Sequence, residues 1–245
     1  MTTTQRRNAL VIGGSSDIAK ALILRISDDA TVERLYVVSR SPVSADFNKP
    51  NIHWIQLDST NENEVANAVA HWSEESIRFG LIVSTVGILH TDVVQPEKKL
   101  EDLNASAFNE VMQVNCGVNA IWLQHAAKLI DRTQCQWVAF SARVGSINDN
   151  QLGGWYSYRA SKAALNMLMK TASIEFARRF KNASLVCYHP GTVDTQLSKP
   201  FQANVKPGKL FTPDFTASQL LIHLSQLDST RNLHYIDWDG KTIPW

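Results

Sequence analysis

Leu10-Val11-Ile12-Gly13-Gly14-Ser15-Ser16-Asp17-Ile18-Ala19 decides the fold. Its apolar run reads as a buried strand, two glycines punctuate it, and a helical pattern follows from about residue 17 to 26. A glycine-rich turn between a first strand and a helix lets backbone approach a pyrophosphate, with donors and positive partial charge supplied by the helix N-terminus. Gly13, Ser15, Ser16, Asp17 and Ile18 are therefore candidate phosphate contacts. The alternative is an ordinary connection in which the serines cap the helix. No Gly-Lys-Ser/Thr follows, which excludes a P-loop.

Outward from that turn, short apolar runs alternate with helical patterns. Strands are expected at 35–38, 52–57, 81–83, 137–140, 185–188 and 234–236, and helices near 62–79, 105–130 and 216–227, with a long helix through Tyr158. Strict alternation with buried-looking strands implies a parallel sheet covered on both faces. The expected fold is α/β: a single doubly wound (Rossmann) domain, residues 1–245, with a parallel sheet of about seven strands. Residues 189–213, rich in Pro, Gly and polar side chains, form the least regular region, and a loop that long is usually functional.

The composition narrows the function classes. Of 245 residues 44% are apolar, enough for a sizeable core, and the formal net charge is +1, so no basic footprint for nucleic acid exists. No run of about 20 apolar residues is present to span a membrane, and the N-terminal segment reads as the lead into a strand rather than a signal peptide. Cys116, Cys135 and Cys187 are widely spaced and odd in number. They imply a reducing, cytoplasmic setting and no paired-cysteine metal site.

Chemistry concentrates in Gly154-Trp155-Tyr156-Ser157-Tyr158-Arg159-Ala160-Ser161-Lys162. Residues four apart share a helix face, so Tyr158 and Lys162 stand together. The ammonium favours the phenolate, which predicts a lowered Tyr158 pKa and a proton donor or acceptor for a carbonyl or alcohol oxygen near neutral pH. The second strand ends in Arg40, with no acid between Glu33 and Asp46. An arginine there suits a 2′-phosphate, so NADP(H) is favoured over NAD(H). Asp58, at the end of the third strand, either accepts from an adenine amino group or caps the next helix. Trp155, Tyr156, Leu197 and Phe201 line an apolar substrate pocket or belong to the core.

Together these residues resemble the short-chain dehydrogenase/reductase superfamily. Within it, Arg143-Val144-Gly145-Ser146-Ile147, the string at 153–166 and the closing Asp239-Gly240 and Pro244-Trp245 are similar to the group of C-factor and the sniffer-type carbonyl reductases. The resemblance implies that Tyr158 is the catalytic acid/base and that Lys162 tunes it and binds the nicotinamide ribose. Asn115 would hold a proton-relay water. Pro190, Gly191, Val193 and Thr195 would form the turn that meets the nicotinamide carboxamide and the cofactor phosphate. Three departures stand out. Asp17 and Ala19 replace two glycines of the first turn. Ser84-Thr85-Val86-Gly87 replaces Asn-Asn-Ala-Gly, leaving Gly87 as the shared residue. Ala142 stands where the family has its catalytic serine, and Ser141, sharing the strand end, is expected to supply that hydroxyl, with Ser146 as the other candidate. The implied activity is NADP(H)-dependent reduction of a small-molecule carbonyl, or oxidation of the alcohol, by a homodimer or homotetramer. The alternative is a C-factor-like signalling or regulatory protein that binds cofactor with little turnover.

Overall fold

The structure, a computed structural model, describes residues 6–228 and 231–245. Residues 1–5, at the start of the N-terminal lead, lie outside them. The described residues form nine strands: β1 Arg7–Ile12, β2 Val32–Ser39, β3 Ile52–Gln56, β4 Phe79–Ser84, β5 Cys135–Phe140, β6 Ala183–His189, β7 Thr192–Val193, β8 Leu210–Phe211 and β9 Leu233–Asp237. The α-helices are α1 Asp17–Ser27, α2 Glu62–Glu74, α3 Ala105–Met112, α4 Val118–Ala126, α5 Tyr156–Arg179 and α6 Pro213–Ser225.

Seven strands make one parallel sheet in the order β3-β2-β1-β4-β5-β6-β9, the doubly wound Rossmann arrangement. Strand alternation sorts the core into two layers. Leu10, Ile12, Ile82, Trp137, Ala139, Leu185 and Cys187 face α2, α4 and α5, where Val69, Trp122 and Met169 meet them. Ala9, Val11, Val83, Val138, Phe140, Val186 and Tyr188 face α1 and α6, meeting Ile23, Ala217 and Leu220. Both faces are buried, which is why these strands are apolar throughout rather than half polar. Each large side chain so buried contributes about 1.5–3 kcal/mol.

β1 and β4 are neighbours although the chain leaves them toward opposite halves of the sheet. Their carboxyl ends flank the switch-point crevice where open α/β sheets bind ligands.

Local structure departs from the sequence reading in four places. The second helix stops at Glu74 rather than near 79, because Ser76 turns left-handed at φ 58° and β4 starts at Phe79. The 105–130 segment is α3, a π turn over Gln113–Gly117, α4 and a 3-10 turn over Ala127–Leu129. The last helix begins earlier than expected, at Pro213, capped by Thr212. Residues 189–213 are not bare loop: β7 pairs with β8 in a short parallel ladder, and a 3-10 turn covers Lys199–Asn204. Among the described residues, no helix is long and apolar enough to cross a membrane.

Candidate active site

The first turn is built for close backbone approach. Gly13 and Gly14 both donate to the Val38 carbonyl (2.9 Å each), and Gly13 adopts φ 95°. A side chain at Gly14 would sit 2.4 Å from Val37 Cγ1, so no larger residue fits. Thr85 supplies the support that the unusual Ser-Thr-Val-Gly string left open. Its N–H donates to the Ile12 carbonyl (2.9 Å), and its hydroxyl reaches the carbonyls of Ile12 and Gly13 (3.2 and 3.1 Å). Ser16 caps α1 by accepting from Ala19 N–H. The N–H groups of Asp17 and Ile18 have no intrahelical acceptor and point out of the helix end. The Asp17 carboxylate pairs with Lys20 at 3.6 Å, which offsets its charge beside an anion site. The close-packed glycines, exposed Ser15 and open helix N-terminus fit a pyrophosphate.

At the end of β2, Arg40 is exposed and its carbonyl accepts from Gln56. Asp58 accepts from Thr60 N–H (2.9 Å) and Thr60 Oγ1 (2.8 Å). Desolvation alone would raise its carboxyl. The two Thr60 donors, with the Arg40 charge nearby, hold it below the ordinary carboxylate range. The cap of α2 is Asn61, not Asp58.

α5 carries the candidate catalytic pair. Nothing breaks its 24 residues, and Tyr158 and Lys162 project from one face with the ammonium 5.7 Å from the Tyr158 ring centroid. Lys162 is buried, and its Nζ donates to the Phe140 carbonyl (2.8 Å). Two glycines make room for it. A side chain at Gly87 would lie 3.1 Å from Lys162 Nζ and 3.3 Å from Asn115 Oδ1, and one at Gly145 would lie 2.8 Å from the Lys162 backbone. Asn115 is fully buried in the π turn. Its side chain accepts from Ile88 N–H (2.7 Å) and donates to the Ile88 carbonyl and Ser161 Oγ (2.9 Å each). It thereby fixes the segment after Gly87 against α5. π turns concentrate at functional sites, and this one sets Asn115 beside Gly87 and α5.

The expected direction of the Tyr158 pKa is corrected. Burial, with a smaller contribution from Tyr235, pushes the phenol above its ordinary value, and Lys162 does not offset this. Lys162 itself is lowered to about 8, mainly by desolvation, against weaker opposing effects of Cys116 and Cys187. Burial disfavours the charged form of each, so the two shifts run in opposite directions. A neutral phenol at pH 7 is a proton donor rather than a base. The lysine shift also has a stability consequence. Between about pH 8 and the ordinary lysine value of 10.5, the unfolded chain binds more protons at this position than the native one. Stability from this group therefore rises with pH across that window. Thermal unfolding of wild type and Lys162→Met across pH 7 to 10.5 will show wild type gaining relative to the variant, and parallel curves would contradict the burial of a charged amine.

The strand-five hydroxyl is revised. Ser141 is buried and donates its one proton to Asn166 Oδ1 (2.7 Å), while Tyr235 donates to the Ala142 carbonyl (2.7 Å) in the same cluster. Ser141 is thus committed to holding β5 against α5 and is not free to donate to a substrate. Ala142 is extended (φ −154°, ψ 149°) and so faces the other way. Ser146 accepts from Asp149 N–H (3.0 Å). His125, on α4, lies beside Glu62 at 3.1 Å. His189 is held neutral, with burial lowering it to about 4.

The region after β6 closes the cleft. Gly191 turns at φ 77°, and a side chain there would lie 2.7 Å from the Phe211 ring. Val193 is buried in the β7–β8 ladder, and the Thr216 hydroxyl reaches the Pro190 carbonyl at 3.3 Å. Thr195 Oγ1 reaches the Val193 carbonyl at 3.4 Å. Beside Tyr158 an aromatic wall forms: Trp155 lies 6.2 Å from the Tyr158 ring and 5.1 Å from Phe201, and His90 lies 5.7 Å from Phe201. A cavity of about 670 Å³ adjoins it, sharing Phe201 with the wall and lined also by Glu97. Three residues here escaped the sequence reading: Glu97, Asn166 and Tyr235. Each acts through a contact more than 20 residues away in sequence, which local patterns do not carry.

Comparison with known proteins agrees with this fold. The chain is 26% identical over 191 residues to 1-hydroxy-2-glutathionyl-2-methyl-3-butene dehydrogenase of Rhodococcus sp. (strain AD45), covering 77% of this chain and 78% of that protein. It is 32% identical over 105 residues to C-signal of Myxococcus xanthus, covering 43% of this chain and 58% of that one. Among solved structures, the carbonyl reductase Sniffer of D. melanogaster superposes with a TM-score of 0.84 at 19% identity, covering 98% of this chain and all of that one. The NADPH-bound carbonyl reductase from chicken fatty liver gives 0.81 at 21%, with the same coverage. At these identities the structures establish a shared fold. The profile described as short chain dehydrogenase matches residues 7–206. The chain belongs to the short-chain dehydrogenase/reductase family of NAD(P)-dependent oxidoreductases.

Proposed function

We propose that the protein is an NADP(H)-dependent carbonyl reductase in which Tyr158 protonates the substrate oxygen. The observation that carries this reading is the placement of a neutral, raised-pKa phenol beside a buried lysine whose ammonium lies against Gly87, just past β4 at the switch point. The nicotinamide, when bound, supplies the hydride. Tyr158 holds the proton at its hydroxyl and passes it to the oxygen that gains charge. Lys162, still largely charged below pH 8, stabilises that charge from one turn along α5. Gly13, Ser15, Ser16 and the Asp17 and Ile18 N–H groups would hold the pyrophosphate, Arg40 the 2′-phosphate and Asp58 the adenine side. Pro190, Gly191, Val193 and Thr195 would border the nicotinamide. The aromatic wall of Trp155, Phe201 and His90 favours ketones, aldehydes or quinones with a planar apolar group. A reducing, cytoplasmic setting fits three free cysteines. Homodimer or homotetramer assembly would cover Met167 and Ile174, both exposed on the outer face of α5.

One observation favours a second reading. With Ala142 at the serine position and Ser141 spent on Asn166, the substrate oxygen has one fewer donor. Together with the C-signal similarity, this supports a cofactor-binding regulatory protein with little turnover. NADPH titration beside NADPH consumption on a panel of ketones, aldehydes and quinones separates the two. Binding without turnover favours the regulatory reading.

The missing donor makes its own prediction. Ala142→Ser will raise turnover, by less than the 10²–10³-fold that removing such a donor costs on the order of in an adapted site. Ser146→Ala will leave turnover unchanged. Comparing the two variants with wild type on one carbonyl substrate checks this. A slowed Ser146→Ala would show that Ser146 supplies the hydroxyl after all.

A further inference from the structure

Glu97 is buried, yet among the described residues no lysine, arginine or histidine pairs with it. A buried carboxylate without a counter-ion needs another source of positive potential. It finds one in the first turn of α5. Ser157 N–H donates to Glu97 Oε2 (3.1 Å), and Ser157 Oγ donates to Oε1. The helix has no cap of its own: the residue at its N-cap position is Trp155, whose side chain makes no capping bond. Glu97, about 60 residues earlier in the chain, therefore supplies the cap and complements the helix dipole.

The same residue holds Trp155. Gly153, Gly154 and Trp155 are successive left-handed residues, at φ 65°, 64° and 51°. The first two suit that conformation, but a bulky aromatic residue does not adopt it without surrounding constraint. The constraint comes from both sides. The Glu97 carbonyl accepts from Trp155 N–H (2.5 Å), and Arg159 donates to the carbonyls of Gly153 and Gly154 (3.0 and 2.9 Å). Trp155 held in this way is the residue whose ring stands between Tyr158 and Phe201.

We propose that Glu97 is a positioning residue that clamps the start of α5, fixing the Tyr158 hydroxyl and the Trp155 wall relative to each other. Its carboxylate acts on Tyr158 through Ser157, and its carbonyl acts on substrate shape through Trp155. This inference rests on the role of Tyr158 given above, so its test reads the clamp separately from turnover.

The test compares wild type, Glu97→Gln, Ser157→Ala and Tyr158→Phe. Glutamine keeps the shape of Glu97 but removes the charge and one acceptor. Amide hydrogen exchange on the cofactor-free protein will rise by about fivefold or more in the first turn of α5 in Glu97→Gln, the scale of a lost cap. Exchange in the central strands will not change. Ser157→Ala, which keeps the N–H bond, will show the same change at smaller size, and it carries the test if Glu97→Gln does not fold. On a carbonyl substrate, kcat of Glu97→Gln will fall about tenfold, as for a displaced catalytic group. KM will rise for an aromatic diketone such as benzil but not for a small aliphatic ketone, and NADPH affinity will hold. A lower folded fraction would scale both substrates equally and leave both KM values alone. Unchanged exchange in the first turn overturns the clamp, as does raised exchange with kcat and both KM values unaltered. If Tyr158→Phe keeps its turnover, the proposed function fails instead, and the exchange result still judges Glu97.

Discussion

Tyr158→Phe will lower turnover on a carbonyl substrate by about 10²–10⁴-fold or more while NADPH binding persists. The substitution keeps the ring, and with it the edge contact to Trp155 and the position of Lys162 over its face. What it removes is the hydroxyl proton that the proposed mechanism passes to the reacting oxygen. Tyr158 is partly exposed to the cleft, and its hydroxyl has no protein acceptor among the described bonds, so losing the hydroxyl leaves no partner stranded. Fold stability should therefore change little, and a fall in rate reports chemistry. The raised phenol pKa adds a direction. At neutral pH the phenol is protonated, which suits reduction, and wild type should reduce carbonyls more readily than it oxidises the matching alcohols. Steady-state rates in both directions for wild type and variant check both statements.

Arg40→Ala will remove most of a preference for NADPH over NADH that is about tenfold or more in wild type. Arg40 is exposed, with no side-chain hydrogen bond or salt bridge among the described residues, and it stands at the carboxyl end of β2. A guanidinium held by no hydrogen bond or ion pair, with only the nearby Asp58 charge acting on it, can give its fork of donors to a phosphate. Hydrogen bonds to charged groups contribute roughly 1.5–3 kcal/mol, and about 1.4 kcal/mol is tenfold in affinity. Because the site is exposed, the preference will weaken as salt rises. NADH affinity will change less, since its ribose hydroxyl carries no charge for Arg40 to meet. Titrations of both cofactors on both proteins decide it, and equal wild-type affinities would remove the case for NADP(H).

The fold was legible because its signals are local. Leu10–Ala19 carries strand, turn and helix in ten residues, and the central strands of the seven-stranded sheet announce themselves as apolar runs because both sheet faces are covered. The pair Tyr158 and Lys162 was legible for the same reason: helix geometry fixes residues four apart. Thr85 shows where that reading stops. Nothing near it in sequence says that its hydroxyl will brace Ile12 and Gly13 some 70 residues away. Ser141 shows the same limit, since alternation places it on a face but only Asn166 reveals what occupies that face. The Tyr158 pKa runs opposite to the sequence expectation because spacing gives the neighbour's charge and not the burial that outweighs it. The π turn at Gln113–Gly117 sets Asn115 in place, and its poor helix formers Asn115 and Gly117 do not by themselves mark a π turn in the sequence.

The most direct test of the account is NADPH consumption by the purified wild-type protein, with alcohol product quantified, across ketones, aldehydes and quinones beside Tyr158→Phe. The account predicts one alcohol formed per NADPH consumed for at least one aromatic carbonyl, and loss of that turnover in the variant. NADPH that binds with no carbonyl reduced, or equal turnover by the two proteins, would contradict it.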